Sequence, residues 1–183
     1  VASGSQKGYM IPPGLSFITM SQKAWEAAEK SNLPKFYLNL KSYRKSLSSN
    51  SNPYTPAVNL VFALDESLKM MREEGLDNIF LRHDKHKLAM SKAVKALNLK
   101  LFADERYLSP AVTAIQTGEI DAEEFRKTIK NKFDILLAGG QDHLKGKIFR
   151  VGHLGYVNNR DIITVVSACL LYTSDAADDR YRG

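Results

Sequence analysis

The sequence predicts a mixed α/β protein in two parts, and three observations predict it. Apolar residues recur at helical spacing from Thr55 to Leu97, with Gly75 interrupting the pattern. After Asn98, short apolar runs alternate with helical patterns. Ahead of Thr55, Leu15 to Thr19 reads as a short buried strand after Pro12-Pro13-Gly14. Strands interleaved with helices describe a compact α/β unit, distinct from the helical segment before it, so the boundary is expected near Gly75.

Taken in order, Ser21 stands as the cap of a helix through Lys30, with Ala24, Trp25, Ala27 and Ala28 on its apolar side. Phe36 to Lys45 repeats aromatic and leucine positions at mixed spacing and reads as a second helix. The polar run Ser46 to Pro53 is a loop. Thr55 and Pro56 then occupy the places of an N-cap and a first helical residue, ahead of Val58, Phe62, Ala63 and Leu68. A longer helix is expected from Leu76 to Leu97, with Ile79, Phe80, His83, Leu88, Val94 and Leu97 as its inward stripe. Beyond Asn98 the expected order is strand Leu99 to Phe102, strand Val112 to Gln116, and a helix opened by Asp121 with Glu124 as capping-box partner. Strands at Ile135 to Ala138 and Ile148 to Val151 and a helix from Arg160 to Ala168 complete it.

Composition narrows the function classes. With 183 residues, 44% of them apolar, the chain can bury an ordinary core. Its apolar stretches fall short of the roughly 20 residues a membrane span needs, so no membrane partner is expected. The net charge of +6 is scattered among acids, as in Lys69, Arg72, Glu73 and Glu74, which argues against a nucleic-acid partner. One cysteine, Cys169, excludes an internal disulfide or a cysteine metal cage and suits a reducing cytoplasm. His83, His86, His143 and His153 include one pair within a helical turn, too little for a metal centre, and are expected to be solvated or capped. Val1 is not an initiator methionine and no signal sequence follows, so the chain reads as a fragment. The run Cys169 to Asp178 resembles read-through into a sequencing adapter, and 169–183 is expected to be such a tail or disordered.

The chemistry concentrates at three places. Ser3-Gly4-Ser5-Gln6-Lys7-Gly8-Tyr9-Met10-Ile11-Pro12-Pro13-Gly14 sets a lysine between small residues, where the chain can turn tightly and a ligand can approach. A primary amine held in a confined site is a nucleophile. Asn52-Pro53-Tyr54-Thr55-Pro56 offers a hydroxyl and backbone amides at an expected helix start, a combination that binds phosphate. Gly146-Lys147-Ile148-Phe149-Arg150-Val151-Gly152-His153-Leu154-Gly155 carries an arginine on a strand, and a guanidinium grips a carboxylate with two parallel hydrogen bonds.

Together these segments resemble the C-terminal half of class V pyridoxal-phosphate aminotransferases of the alanine-glyoxylate and serine-glyoxylate type. That group includes a cyanobacterial relative named as a soluble hydrogenase subunit. The resemblance covers Val1 to about Ala168. It implies a fold-type I α/β transferase in which 1–75 ends the large cofactor-binding domain and 76–168 forms the small C-terminal domain. It implies pyridoxal 5'-phosphate as cofactor, bonded covalently to Lys7, with Gln6, Tyr54 and Thr55 toward its phosphate and Arg150 on the substrate carboxylate. The implied partners are small amino acids, 2-oxo acids and a second copy of the full-length chain. Gly139-Gly140-Gln141-Asp142-His143 resembles a stretch near the entrance of that family's site and receives no catalytic role.

The residues that family uses for the pyridine nitrogen and for ring stacking have no counterpart here, so the isolated chain is expected to be inactive. Hydrogenase chemistry requires metal held by cysteines or similar groups, and one thiol does not supply it. The alternatives are a phosphoserine or aminoethylphosphonate aminotransferase of the same class, or a non-enzymatic interaction module. A cysteine desulfurase would need a nucleophilic cysteine, for which only Cys169 stands.

Overall fold

A computed structural model describes residues 1–181, with side chains described through Thr173. The chain divides into two compact units, Val1–Met70 and a second beginning at Met71. In the first unit, β1 (Ala2–Gly4) pairs antiparallel with β2 (Ser16–Ile18), in the register Ala2↔Ile18, Ser3↔Phe17 and Gly4↔Ser16. The hairpin encloses residues 5–15, the lysine-bearing segment. Gly14 closes that segment at φ 141°, and a Cβ there would lie 2.6 Å from Leu60 Cδ1, so both its backbone angle and its surroundings call for glycine.

α1 (Gln22–Lys30) starts as expected, with Ser21 Oγ accepting from the Ala24 amide at 3.2 Å. α2 (Leu40–Leu47) begins four residues later than the sequence suggests, because Asn39 supplies the cap through Oδ1 to the Lys41 amide. Phe36 to Leu38 precede the helix and remain exposed. α3 (Val58–Glu74) also starts late. Thr55 and Pro56 are therefore neither its cap nor its first turn. The Val58 amide turns back to Pro56 O, and the first helical bond runs from Val61 N to Ala57 O.

In the second unit, Gly75 at φ 82° separates α3 from α4 (Leu76–Ala96). β3 (Lys100–Leu101) and β4 (Val112–Gln116) follow, then α5 (Ala122–Phe133) and β5 (Ala138–Gly139). β6 (Ile148–Gly152) and α6 (Asn159–Tyr181) end the described chain. The sheet is antiparallel throughout, in the order β3-β4-β6-β5. Residues 135–137, expected as strand, lead into β5 instead, and only Ala138 and Gly139 pair with β6. α5 opens on Asp121, whose Oδ1 accepts from the Glu123 and Glu124 amides at 2.7 and 3.0 Å.

Strand alternation sorts the sheet into two faces. Thr113 and Ile115 on β4 stand opposite Val151 and Phe149 on β6. Their face meets Met90 and Val94 of α4, Phe125 and Ile129 of α5, and Ile162 and Ala168 of α6 in one core. Phe125 and Phe149 stack with ring centroids 4.6 Å apart, each burial contributing about 1.5–3 kcal/mol. Cys169 belongs to the same core, and Tyr172 meets Phe125 edge-on at 4.7 Å. The rest of the expected tail, 174–183, lies outside the described side chains.

Candidate active site

Lys7 rides at the crest of the turn between β1 and β2, and three buried residues build that turn. They are Ser5, Ile11 and Ser67, at 0, 8 and 4% exposure, and they are the buried residues of the first unit. Ser5 makes four bonds inside the loop. Its amide donates to Leu15 O at 3.1 Å and its carbonyl accepts from the Ile11 amide at 3.4 Å. Its hydroxyl donates to Pro12 O at 2.7 Å and accepts from the Leu15 amide at 3.2 Å. The Met10 amide returns to Lys7 O at 3.0 Å, with Met10 itself left-handed at φ 60°. A non-glycine residue there costs about 1–3 kcal/mol and persists only where its surroundings dictate it. Tyr9 packs on Phe17 at 4.5 Å between centroids, and Ser67 Oγ of α3 donates to Tyr9 O at 2.5 Å.

The crest itself is open. Gln6, Lys7 and Gly8 are exposed, and a Cβ added at Gly8 would meet nothing within 4 Å. Gln6 folds its amide toward Gly4, where a Cβ would lie 2.7 Å from Gln6 Oε1. Sequence reasoning quoted Ser5 within its motif without assigning it a role, and missed Ser67 altogether. A serine in the middle of a helix usually faces water or bonds its own preceding turn, so no local signal marks Ser67.

Tyr54 and Thr55 occupy the loop ahead of α3 and differ in their surroundings. Tyr54 is embedded in rings, with centroids 4.8 Å from Tyr37, 5.7 Å from Phe36 and 6.1 Å from Tyr43. Its hydroxyl donates to Phe36 O at 3.0 Å, so the proton is already committed. Thr55 is exposed, and no described side-chain hydrogen bond engages its hydroxyl. Among the described hydrogen bonds, none joins this loop to Lys7.

Arg150 belongs to the second unit, on the sheet face opposite Phe149. Its cross-strand neighbours are Ala114 on β4 and Ala138 on β5, both small. Its Nε donates to Gly139 O at 2.9 Å, fixing the plane of the guanidinium. The two terminal nitrogens have no described partner, and such a pair is able to grip one carboxylate as a fork.

Of the two expected states, His86 and His153 take the capped one, buried and hydrogen-bonded. His153 Nδ1 donates to Pro110 O at 3.0 Å, and its Nε2 accepts from Thr113 Oγ1 at 2.8 Å. Burial first, then His86 and His83 nearby, hold its pKa below the ordinary histidine value. His83 Nδ1 donates to Ile79 O and its Nε2 accepts the Gly155 amide. His86 bonds Asn159 Oδ1 through Nε2. Only His143 is exposed. Among the described residues, no group of three acidic, histidine or cysteine side chains could hold a metal. Arg82 spans from Glu74 to the carbonyls of Gly155 and Val157, drawing Glu74 below the usual carboxylate range. Cys169 is buried and its thiol is pushed up to about 11, the behaviour of an inert thiol. No described helix is long and apolar enough to cross a membrane.

Known proteins resemble this chain in sequence and in fold. The chain is 56% identical over 168 residues to a soluble hydrogenase 42 kDa subunit of Anabaena cylindrica, spanning 92% of this chain and 44% of that protein. It is 36% identical over 172 residues to a serine–glyoxylate aminotransferase of Methylorubrum extorquens, spanning 90% of this chain and 43% of that one. The crystal structure of an alanine–glyoxylate aminotransferase from Nostoc sp. superposes with a TM-score of 0.86 at 28% identity, over 93% of this chain and 46% of that one. No family model matches the chain. The fold is thus that of part of a pyridoxal-phosphate-dependent aminotransferase. The chain belongs to the class V aminotransferases, of the serine- and alanine-glyoxylate type, and spans less than half the length of these relatives.

The donors present fit that family's cofactor. An exposed primary amine on a braced turn suits an aldehyde, and an amide beside it and an uncommitted hydroxyl suit a phosphate.

Proposed function

We propose that this chain is the C-terminal part of an enzyme that transfers an amino group from serine or alanine to glyoxylate with pyridoxal phosphate as cofactor. The observation that carries the proposal is the Lys7 turn, an exposed amine on a loop to which the first unit commits all three of its buried residues. The 36% identity to a serine–glyoxylate aminotransferase supports the choice of donor and acceptor.

In this reading Lys7 holds the cofactor through its amine, and Gln6 and Thr55 donate to the phosphate. Tyr54 serves the same loop, with its hydroxyl spent on Phe36 O. When bound, the cofactor supplies an electron sink for the carbanion left when the substrate Cα loses its proton. Lys7 Nζ, released once the substrate's amine has taken its place, would accept that proton and return it as general base and acid. Arg150 holds amino acid and 2-oxo acid alike by their carboxylates, with its plane set by Gly139 O. The full-length protein acts as a homodimer in the cytoplasm, and the isolated chain transfers no amino groups at a useful rate. The residues that the family uses toward the cofactor ring have no counterpart among these 183, which span less than half the length of the relatives.

The test is a donor and acceptor panel on the protein extended to the length of its relatives. Serine or alanine with glyoxylate is expected to give the highest kcat/KM. Preference for a phosphorylated or phosphonate donor would overturn the substrate assignment. Arg150→Lys is expected to raise KM for donor and acceptor alike by roughly tenfold or more, since an ammonium loses the paired hydrogen bonds. Equal KM values would remove Arg150 from the carboxylate.

A further inference from the structure

We propose that Ser67 and Ser5 are positioning residues for Lys7: a helix-borne hydroxyl and a buried loop hydroxyl that together set the direction in which the lysine leaves its turn. The inference rests on the reading of Lys7 as the cofactor-bearing residue, and goes beyond it by naming what aims that residue.

Ser67 is the buried residue of α3 and it is polar. A helix that packs for stability alone would place an apolar side chain at its most buried position. The Ser67 hydroxyl does not bond its own preceding turn but reaches a carbonyl 58 positions away, Tyr9 O, two residues past Lys7. On the other side of the lysine, Ser5 is fully buried and ties residue 5 to both Pro12 and Leu15. Between these fixed points lie Gln6, Lys7 and Gly8, whose side chains are exposed. The strained Met10 at φ 60° completes the frame, since it would relax without the bonds on either side. Flanking glycines give the turn freedom, and the two serines remove it. Reactions of a held group fall off steeply with small misplacement, so the brace governs rate rather than fold.

The experiment uses the extended protein incubated with pyridoxal phosphate. Condensation of the Lys7 amine with the aldehyde loses water, and borohydride then adds hydride to the new C=N bond, fixing the adduct for peptide mass mapping. The rate of labelling at Lys7 is measured against Lys23 and Lys35 as internal references, in Ser67→Ala, Ser67→Thr and Ser5→Ala. Ser67→Ala is expected to slow labelling at Lys7 by roughly tenfold, with unchanged circular dichroism and reference labelling, and Ser67→Thr is expected to restore it because the hydroxyl returns. Ser5→Ala should slow it at least as much, and if that variant loses its fold the Ser67 pair decides alone. Equal rates in wild type and folded Ser67→Ala, or no rescue by threonine, would overturn the brace. The underlying reading fails separately, when the wild-type protein labels Lys7 no faster than Lys23.

Discussion

The two units of this chain are held together by different means. In the second, apolar side chains from three helices and the sheet close over Phe125 and Phe149. In the first, two of the three buried residues are serines, all three belong to the lysine loop or hold it, and Phe36, Leu38, Leu47 and Phe62 stay exposed. Burial of apolar area is the dominant favourable term in folding, so the second unit carries its stability within itself. The first buries mainly the hydrogen-bonded frame of the Lys7 loop. A frame of that kind specifies geometry, because each buried polar group must find its partner, but adds little net stability.

The sharpest way to break this contrast is a pair of truncations. Phe149→Ala should destabilise the second unit by about 3–5 kcal/mol in denaturant unfolding, while Phe62→Ala should fall within about 0.5 kcal/mol of wild type. Comparable losses from both would show that the first unit has a core of its own. Next in size is the buried Thr113–His153 pair. Thr113→Val strands His153 Nε2 without a donor and should cost about 1–3 kcal/mol. The same histidine gives a pH dependence. Its pKa is depressed in the fold, so the unfolded chain binds the proton first. Its contribution is complete above the unfolded value of about 6.5 and is lost as pH falls from there toward the folded pKa. A stability that stayed flat from pH 7 to 5, or rose, would contradict the neutral, buried imidazole. The smallest loss expected in the second unit is from Asp121→Ala, which removes the cap of α5 and should cost about 1 kcal/mol by the same unfolding measurement.

Much of the second unit could be read in the sequence. β4 falls at Val112–Gln116, and Asp121 opens α5, because alternation and capping are local signals. β5 could not be placed so well, since Ala138 and Gly139 have little strand preference and are recruited by the register of β6. β1 escaped for the same reason: Ala2-Ser3-Gly4 becomes a strand only because Phe17 and its neighbours pair with it from 14 or so residues away. Of the candidate site, Lys7 and Arg150 are proposed from the motifs that carry them, and the structure adds the turn around Lys7 and the Gly139 bond of Arg150. Ser67 was not legible, because its partner, Tyr9 O, is a backbone atom far away in sequence. Thr55 was read as a helix cap, and the Pro56–Ala57 turn moves the helix start beyond it.

The most direct test of the account is covalent mapping of the cofactor in the extended protein. After reduction with borohydride in the presence of pyridoxal phosphate, the expected result is one dominant adduct on Lys7, with Lys7→Ala losing both the adduct and amino-group transfer. A dominant adduct on another lysine, or transfer that survives Lys7→Ala undiminished, would contradict it.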